Sequence, residues 1–179
     1  MKIFRTGQIK EIDRLTIESE PIASFDLMER AADQLQRWFA RNFDRSRRVI
    51  IFAGPGNNGG DGLALARLLS VNRFNAEVFF VKISDKTSDD WNINYHRIEK
   101  ETPVLFNTLE NIEHFPFISS DDILIDAIFG SGLSHPAEGL AGLVIRKINQ
   151  TGNVVISIDI PSGMFGEDNS QNNPDTIIR

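Results

Sequence analysis

The chain has 179 residues, 41% of them hydrophobic and 25% charged, enough for one domain with a substantial core. A net charge of −6 argues against broad binding to a nucleic-acid backbone. With no cysteine there is no disulfide framework and no thiolate chemistry. No apolar run approaches the roughly 18 residues a membrane span needs, and the N-terminus lacks the continuous apolar core of a secretory signal. A reducing cytoplasm is the expected location.

Two helices are expected first. Ile9, Ile12 and Leu15 or Thr16 recur at helical spacing. Beyond the break at Pro21, a second stripe runs through Leu27, Met28, Ala31, Leu35, Trp38 and Phe39, with Ser24 as its N-cap. Such a stripe reads as core packing rather than a cofactor face. Arg45, Arg47 and Arg48 form the one basic cluster and read as a solvated strand entry.

From there, short apolar runs alternate with helical patterns. The spacing predicts strands at 49–53, 76–81, 104–106, 123–128 and 154–160. Helices are predicted after the first strand, over 88–100 and over 140–148. Strands apolar on both faces, separated by helices, describe a parallel sheet covered on both sides. The fold class is therefore α/β: a Rossmann-like, doubly wound, mostly parallel sheet with an N-terminal helical extension. Its binding crevice is expected at the carboxyl ends of the strands. The polar stretch 166–174 reads as a loop.

Three motifs fall at that edge. The first, Gly54-Pro55-Gly56-Asn57-Asn58-Gly59-Gly60-Asp61-Gly62, joins a strand to a helix and builds a backbone cup where an anion is favoured. Its asparagines and aspartate exceed what a plain phosphate loop needs. The second, Asp126-Ala127-Ile128-Phe129-Gly130-Ser131-Gly132-Leu133, ends an apolar strand on an acid. The third, Ser157-Ile158-Asp159-Ile160-Pro161-Ser162-Gly163, does the same. A carboxylate in an apolar run is costly unless it is paired or binds something. Either acid alone has a plainer reading, Asp159 as a turn cap and Asp126 as an acceptor for backbone N–H groups. Gly54, Gly56 and Gly59 match the dinucleotide spacing, but no acid closes the second strand, which runs into Lys82. An ordinary NAD-dependent dehydrogenase is disfavoured, and no Gly-Lys-Ser/Thr follows the loop to make a P-loop NTPase.

Together these motifs resemble the YjeF N-terminal domain family, the NAD(P)H-hydrate epimerases. Asn57-Asn58-Gly59-Gly60-Asp61 carries most of the resemblance. Leu27-Met28-Glu29-Arg30-Ala31-Ala32 and the Asp126 and Asp159 segments follow in the family's order, from Gln8 to Gly163. The resemblance implies an isomerase that equilibrates the R and S epimers of hydrated NADH or NADPH, so that a stereospecific dehydratase can restore the cofactor. It implies contacts to the hydrated dinucleotide from Asn57, Asn58, Gly59, Gly60 and Asp61, from Gly130, Ser131, Gly132, Leu133, Ser134, His135 and Pro136, and from Asp159. It further implies a potassium ion held by Asn58, Asp126 and Ser162, a homodimer, and a fused or separate dehydratase partner.

Two features depart from the family pattern. Ser134-His135-Pro136 stands where an arginine is common, leaving His135 either in that phosphate-facing role or simply exposed. The family domain normally continues past the polar stretch, so residues 1–179 read as a single domain, either trimmed or the front of a bifunctional protein. Of the strand-end acids, Asp159 is the one not assigned to the cation, and it is the expected catalytic acid–base. Lys82 is within possible reach of the substrate, though a solvated lysine is the plainer reading. The alternative function is a non-catalytic nucleotide- or protein-binding module of the same fold.

Overall fold

The computed structural model describes residues 4–179. Two helices, α1 (Thr6–Ser19) and α2 (Ser24–Asn42), precede five strands. These are β1 (Arg48–Ala53), β2 (Asn75–Val81), β3 (Leu105–Leu109), β4 (Ile123–Ala127) and β5 (Val154–Ser157). Helices α3 (Asn57–Val71), α4 (Asp89–Glu101) and α5 (Gly139–Thr151) follow β1, β2 and β4. The sheet order is β3-β2-β1-β4-β5, and all four pairings are parallel. The expected doubly wound Rossmann-like class is therefore the observed one.

The central strands are apolar on both faces because both faces are covered. One core, with Ile51, Val78 and Ile125 from the sheet, packs against Phe39 of α2, Leu63 and Leu69 of α3, and Trp91 and Ile98 of α4. The other, with Ile50, Phe52 and Leu124, packs against Val144, Ile145 and Ile148 of α5. Arg67 of α3, 6% exposed, ties the first layer together through Glu29 of α2 and Glu101 of α4.

Several elements differ from the sequence reading. Ser24 is the first helical residue rather than the cap, which is Ala23, and its Oγ donates to Asp90 Oδ2 at 2.6 Å. The buried face of α2 is Met28, Ala32, Gln36 and Phe39, which leaves Ala31 and Trp38 outside. Trp38 instead sets its ring edge against Phe43. Strand β3 starts at Leu105 and continues through Asn107 and Thr108. It is an edge strand, so its pattern carries polar residues that an apolar-run criterion stops at. β5 ends at Ser157: Ile158 still donates to Asp126 O at 3.1 Å, after which Pro161, lacking an N–H, fits a departing chain.

The basic cluster is built into the fold. Arg48 pairs with Glu77 and Asp122, Arg47 donates to Asp121 O, and Arg45 donates to Asn72 O and lies over Phe74. The stretch 166–174 is a loop, and the residues after it fold back beneath α5. Pro174–Thr176 form a 3₁₀ turn, and Ile178 N donates to Ser162 O at 2.9 Å. No helix among the described residues is long and apolar enough to cross a membrane.

Candidate active site at the carboxyl edge of the sheet

The sheet order decides what meets. β4 lies between β1 and β5, so the loop after β4 is flanked by the start of α3 on one side and by the Asp159 segment on the other. Close approach of backbones makes this possible. A Cβ on Gly54 would stand 2.0 Å from Ile128 O, and one on Gly59 would stand 1.8 Å from Gly54 O, so only glycine fits either position. Gly54 N donates to Ala127 O at 3.0 Å, extending the pairing of β1 and β4 by one rung.

Beneath this junction lies Asp126, 1% exposed. Its register partner on β5 is Ser157, whose Oγ donates to Asp126 Oδ2 at 2.8 Å. Ser162 N donates to the same oxygen at 2.7 Å, while Ser162 Oγ and Ile128 N donate to Oδ1. Burial pushes the carboxyl of Asp126 upward, and the bonds from Ser162, Ser157 and Ile128 offset part of that push. Phe129 N donates to Ser162 Oγ at 2.8 Å, and Asn58 Nδ2 donates to Phe129 O at 2.9 Å. One continuous network therefore links α3, the β4 loop and the β5 loop.

Asn58 Oδ1 is buried with no partner. A buried amide oxygen left unpaired is a costly feature that a cation would relieve. The same network holds an amide, a backbone carbonyl, a hydroxyl and one carboxylate, from Asn58, Phe129, Ser162 and Asp126, and oxygens of these kinds are the ligand chemistry of a hard cation. Among the described residues no group of three or more His, Cys, Asp or Glu side chains is placed to hold a metal ion, and Asp126 is the one carboxylate of this network.

Above the network opens a crevice of about 600 Å³. Asn57, Asn58 and Asp61 line it from α3, Ile128 to Leu133 from the β4 loop, and Asp159 from beyond β5. Asp159 is exposed, and its Oδ2 accepts from Ser131 N at 2.7 Å. Asp61, also in the wall, has its carboxyl raised to about 7, first by burial and then by Asp159, Asp90 and Asp13.

The sequence-derived residues thus divide. Asn57, Asn58, Asp61, Gly130, Ser131, Gly132, Leu133 and Asp159 converge on the crevice. Gly59 and Gly60 are buried behind it, Gly60 against Met28. Asp126 and Ser162 are not in its lining: they are buried under it, as a floor tied to the lining residues Ile128, Phe129 and Asn58 by the network above. Ser134 and His135 lie exposed beyond its lining, joined by an Oγ···Nδ1 contact of 2.9 Å, and Pro136 follows them out. Lys82 does not reach the crevice: it pairs with Glu110 at 2.8 Å and Asp85 at 3.5 Å.

Sequence reasoning missed one wall. Thr6, Ile9, Lys10 and Asp13 of α1 also line the crevice. Helical spacing showed only that α1 exists, and nothing in a local pattern says which distant loop it will lie against. Its tether comes from the chain's far end, where Glu167 Oε1 accepts from Thr6 N at 3.0 Å.

Residues 24–179 match the family described as YjeF-related protein N-terminus. The chain is 36% identical over 171 residues to the bifunctional NAD(P)H-hydrate repair enzyme Nnr of Thermofilum pendens, spanning 93% of this chain but 32% of that protein. It is 33% identical over 160 residues to the NAD(P)H-hydrate epimerase of Limosilactobacillus fermentum, covering 88% of this chain and 73% of the relative. The crystal structure of the yeast protein ynu0, YNL200c, superposes with a TM-score of 0.75 at 25% identity, over 91% of this chain and 72% of that one.

Proposed function

The chain belongs to the YjeF N-terminal family, and from that premise we propose that it is an isomerase interconverting the R and S epimers of hydrated NADH and NADPH. The observation that carries this reading is convergence. Asn58, Asp61, the Gly130–Leu133 loop and Asp159 come from three separate stretches and face one crevice.

The reaction inverts a hydroxyl-bearing ring carbon beside the ring nitrogen. That requires proton transfer to and from oxygen, the task of a positioned acid–base. Asp159 has that place: it is in the wall, open to solvent, and held by only one backbone N–H. The start of α3 supplies polar contacts that orient the substrate, with the helix N-terminus nearest its phosphates. Three carboxyl groups, of Asp13, Asp61 and Asp159, line the crevice, more acid than a module that only bound an anionic dinucleotide would be expected to carry.

Potassium is the fitting ion for the floor, held by Asn58, Asp126 and Ser162. When bound it would offset the negative charge of the crevice and of the substrate's phosphates. The dehydratase acting on the product is a separate or fused partner, and the domain over 1–179 is one unit of that arrangement. A homodimer is part of the same reading. Ile12 and Leu15 of α1, 42% and 48% exposed, offer apolar surface for it.

A coupled assay tests the function. A dehydratase specific for one epimer stalls on a mixed hydrate pool once its own epimer is gone. Adding this protein should carry consumption to completion, and a stall that persists would overturn the reading.

A further inference from the structure

The wall of the crevice holds a second carboxyl group that the reading above leaves without a task. Asp61 is the fifth residue of α3 and faces the cavity together with Asp159. The two walls meet across Gly130, where a Cβ would stand 2.6 Å from Asp159 Oδ2 and 3.5 Å from Asn58 Cβ. They rise on opposite sides of the β4 loop, since β4 separates β1 from β5 in the sheet.

The surroundings of Asp61 are unusual for a carboxylate. Arg67, the only cationic residue of α3, is engaged far down the helix with Glu29 and Glu101. The groups acting on Asp61 are burial and other acids: Asp159 beyond β5, Asp90 on α4 and Asp13 on α1. Among the described residues, Lys10 of α1 is the one cationic side chain lining the crevice. An acid placed this way is partly protonated at neutral pH, its carboxyl standing near 7. A group that merely gripped a ribose would be better ionised.

We propose that Asp61 is a second catalytic acid–base residue of the epimerisation, working with Asp159 from the opposite wall of the crevice. This rests on the epimerase reading and assigns its proton route. In one direction Asp61 gives its proton to the hydroxyl oxygen on the ring carbon beside the nitrogen. The C–O bond breaks, its electron pair leaves with water, and the nitrogen lone pair forms a C=N bond. Water then adds from the other face. A C–O bond forms, the C=N π pair returns to nitrogen, and the surplus proton passes to Asp159. The substrate leaves inverted, with one water lost and one gained and one proton moved between the two acids. The other epimer uses them in reverse order. Asp159, open to solvent, returns its proton to bulk water, and Asp61 takes one up from water in the crevice, which resets the pair.

The test uses the whole chain with separated hydrate epimers, measuring kcat and KM from pH 5.5 to 9. Asp61→Asn should lower kcat by about 100-fold or more while KM stays within about threefold. Wild-type kcat should fall as pH rises through about 7 in the direction that starts on Asp61, and Asp61→Glu should restore part of the rate with that alkaline limb retained. Removing a charge repelled by three other acids should leave the melting temperature of Asp61→Asn no lower than wild type. If Asp61→Asn nevertheless fails to fold, the wild-type profile decides, and a kcat flat from pH 6 to 9 overturns the proposal. So does an Asp61→Asn variant that turns over within about threefold of wild type. A wild-type protein with no epimerase activity would instead sink the underlying function.

Discussion

Asp126 and Asp159 stand beside the ends of neighbouring strands, yet the chain treats them oppositely. Asp126 is 1% exposed and receives four hydrogen bonds from Ser157, Ser162 and Ile128. Asp159, two residues past the end of its strand, is exposed and receives one, from Ser131 N. A carboxylate has about four lone-pair sites and can take more than one partner on an oxygen, so the first acid is largely committed to the fold while the second keeps most of its capacity for the substrate. The difference teaches where chemistry and architecture divide in this crevice. The floor holds three loops together, and the wall, shared by Asp159 and Asp61, is left reactive.

The largest expected effect tests the floor. Asp126→Ala would strand two backbone N–H groups and two serine hydroxyls in a dry junction, costing about 3 kcal/mol or more. Urea denaturation should show a lowered midpoint, and a midpoint unchanged from wild type would break the contrast between the two acids. Gly54→Ala should follow at about 2–3 kcal/mol, because its Cβ would meet backbone at 2.0 Å and no side chain can move aside. Asp159→Asn belongs at the opposite pole. Its melting temperature should stay close to wild type while epimerisation slows by roughly 100-fold. Near-normal turnover would move the acid–base role off Asp159.

The wall also predicts a pH dependence of stability. The carboxyl of Asp61 rises from 3.8 to about 7 on folding, mainly through burial. A raised folded value means that the native state prefers the protonated form. Its contribution is therefore full below about pH 4 and is lost as pH rises through about 7. Thermal melts from pH 5 to 8 should fall more steeply for wild type than for Asp61→Asn, and parallel curves would remove the burial argument.

Much of this was legible in the chain. The apolar runs Val49–Ala53 of β1 and Ile123–Ile125 of β4 and the glycine-rich turn between β1 and α3 made the fold class legible, because burial on both faces leaves few polar residues to blur the pattern. The three motifs were legible as a set because the carboxyl-edge rule gathers strand ends. What stayed hidden depended on distance. That Ser157 bonds Asp126 follows from the register Asp126↔Ser157, which no local spacing reveals. β3 was misjudged because an edge strand is half-solvated, and Asn107 spends its amide on Glu77 rather than on an apolar layer. Asp61 appeared as one polar residue of a loop, whereas its environment comes from Asp159, Asp90 and Asp13 on three other elements.

The smallest expected effect concerns the wall that sequence reasoning missed. Helix α1 has no buried residue, yet it brings Lys10 to a crevice otherwise rich in acids. A substrate carrying phosphates would gain from that one cation, but Lys10 is exposed, and a screened surface contact is worth up to about 1 kcal/mol. Lys10→Ala should therefore raise KM by at most about fivefold at low salt, leave kcat unchanged, and lose most of its effect as salt increases. Stability should not change, since no ion pair of Lys10 exists among the described residues to be broken. Steady-state kinetics at two ionic strengths would decide it. A KM insensitive to both the substitution and the salt would take α1 out of the site and leave the crevice to the strand-end loops alone.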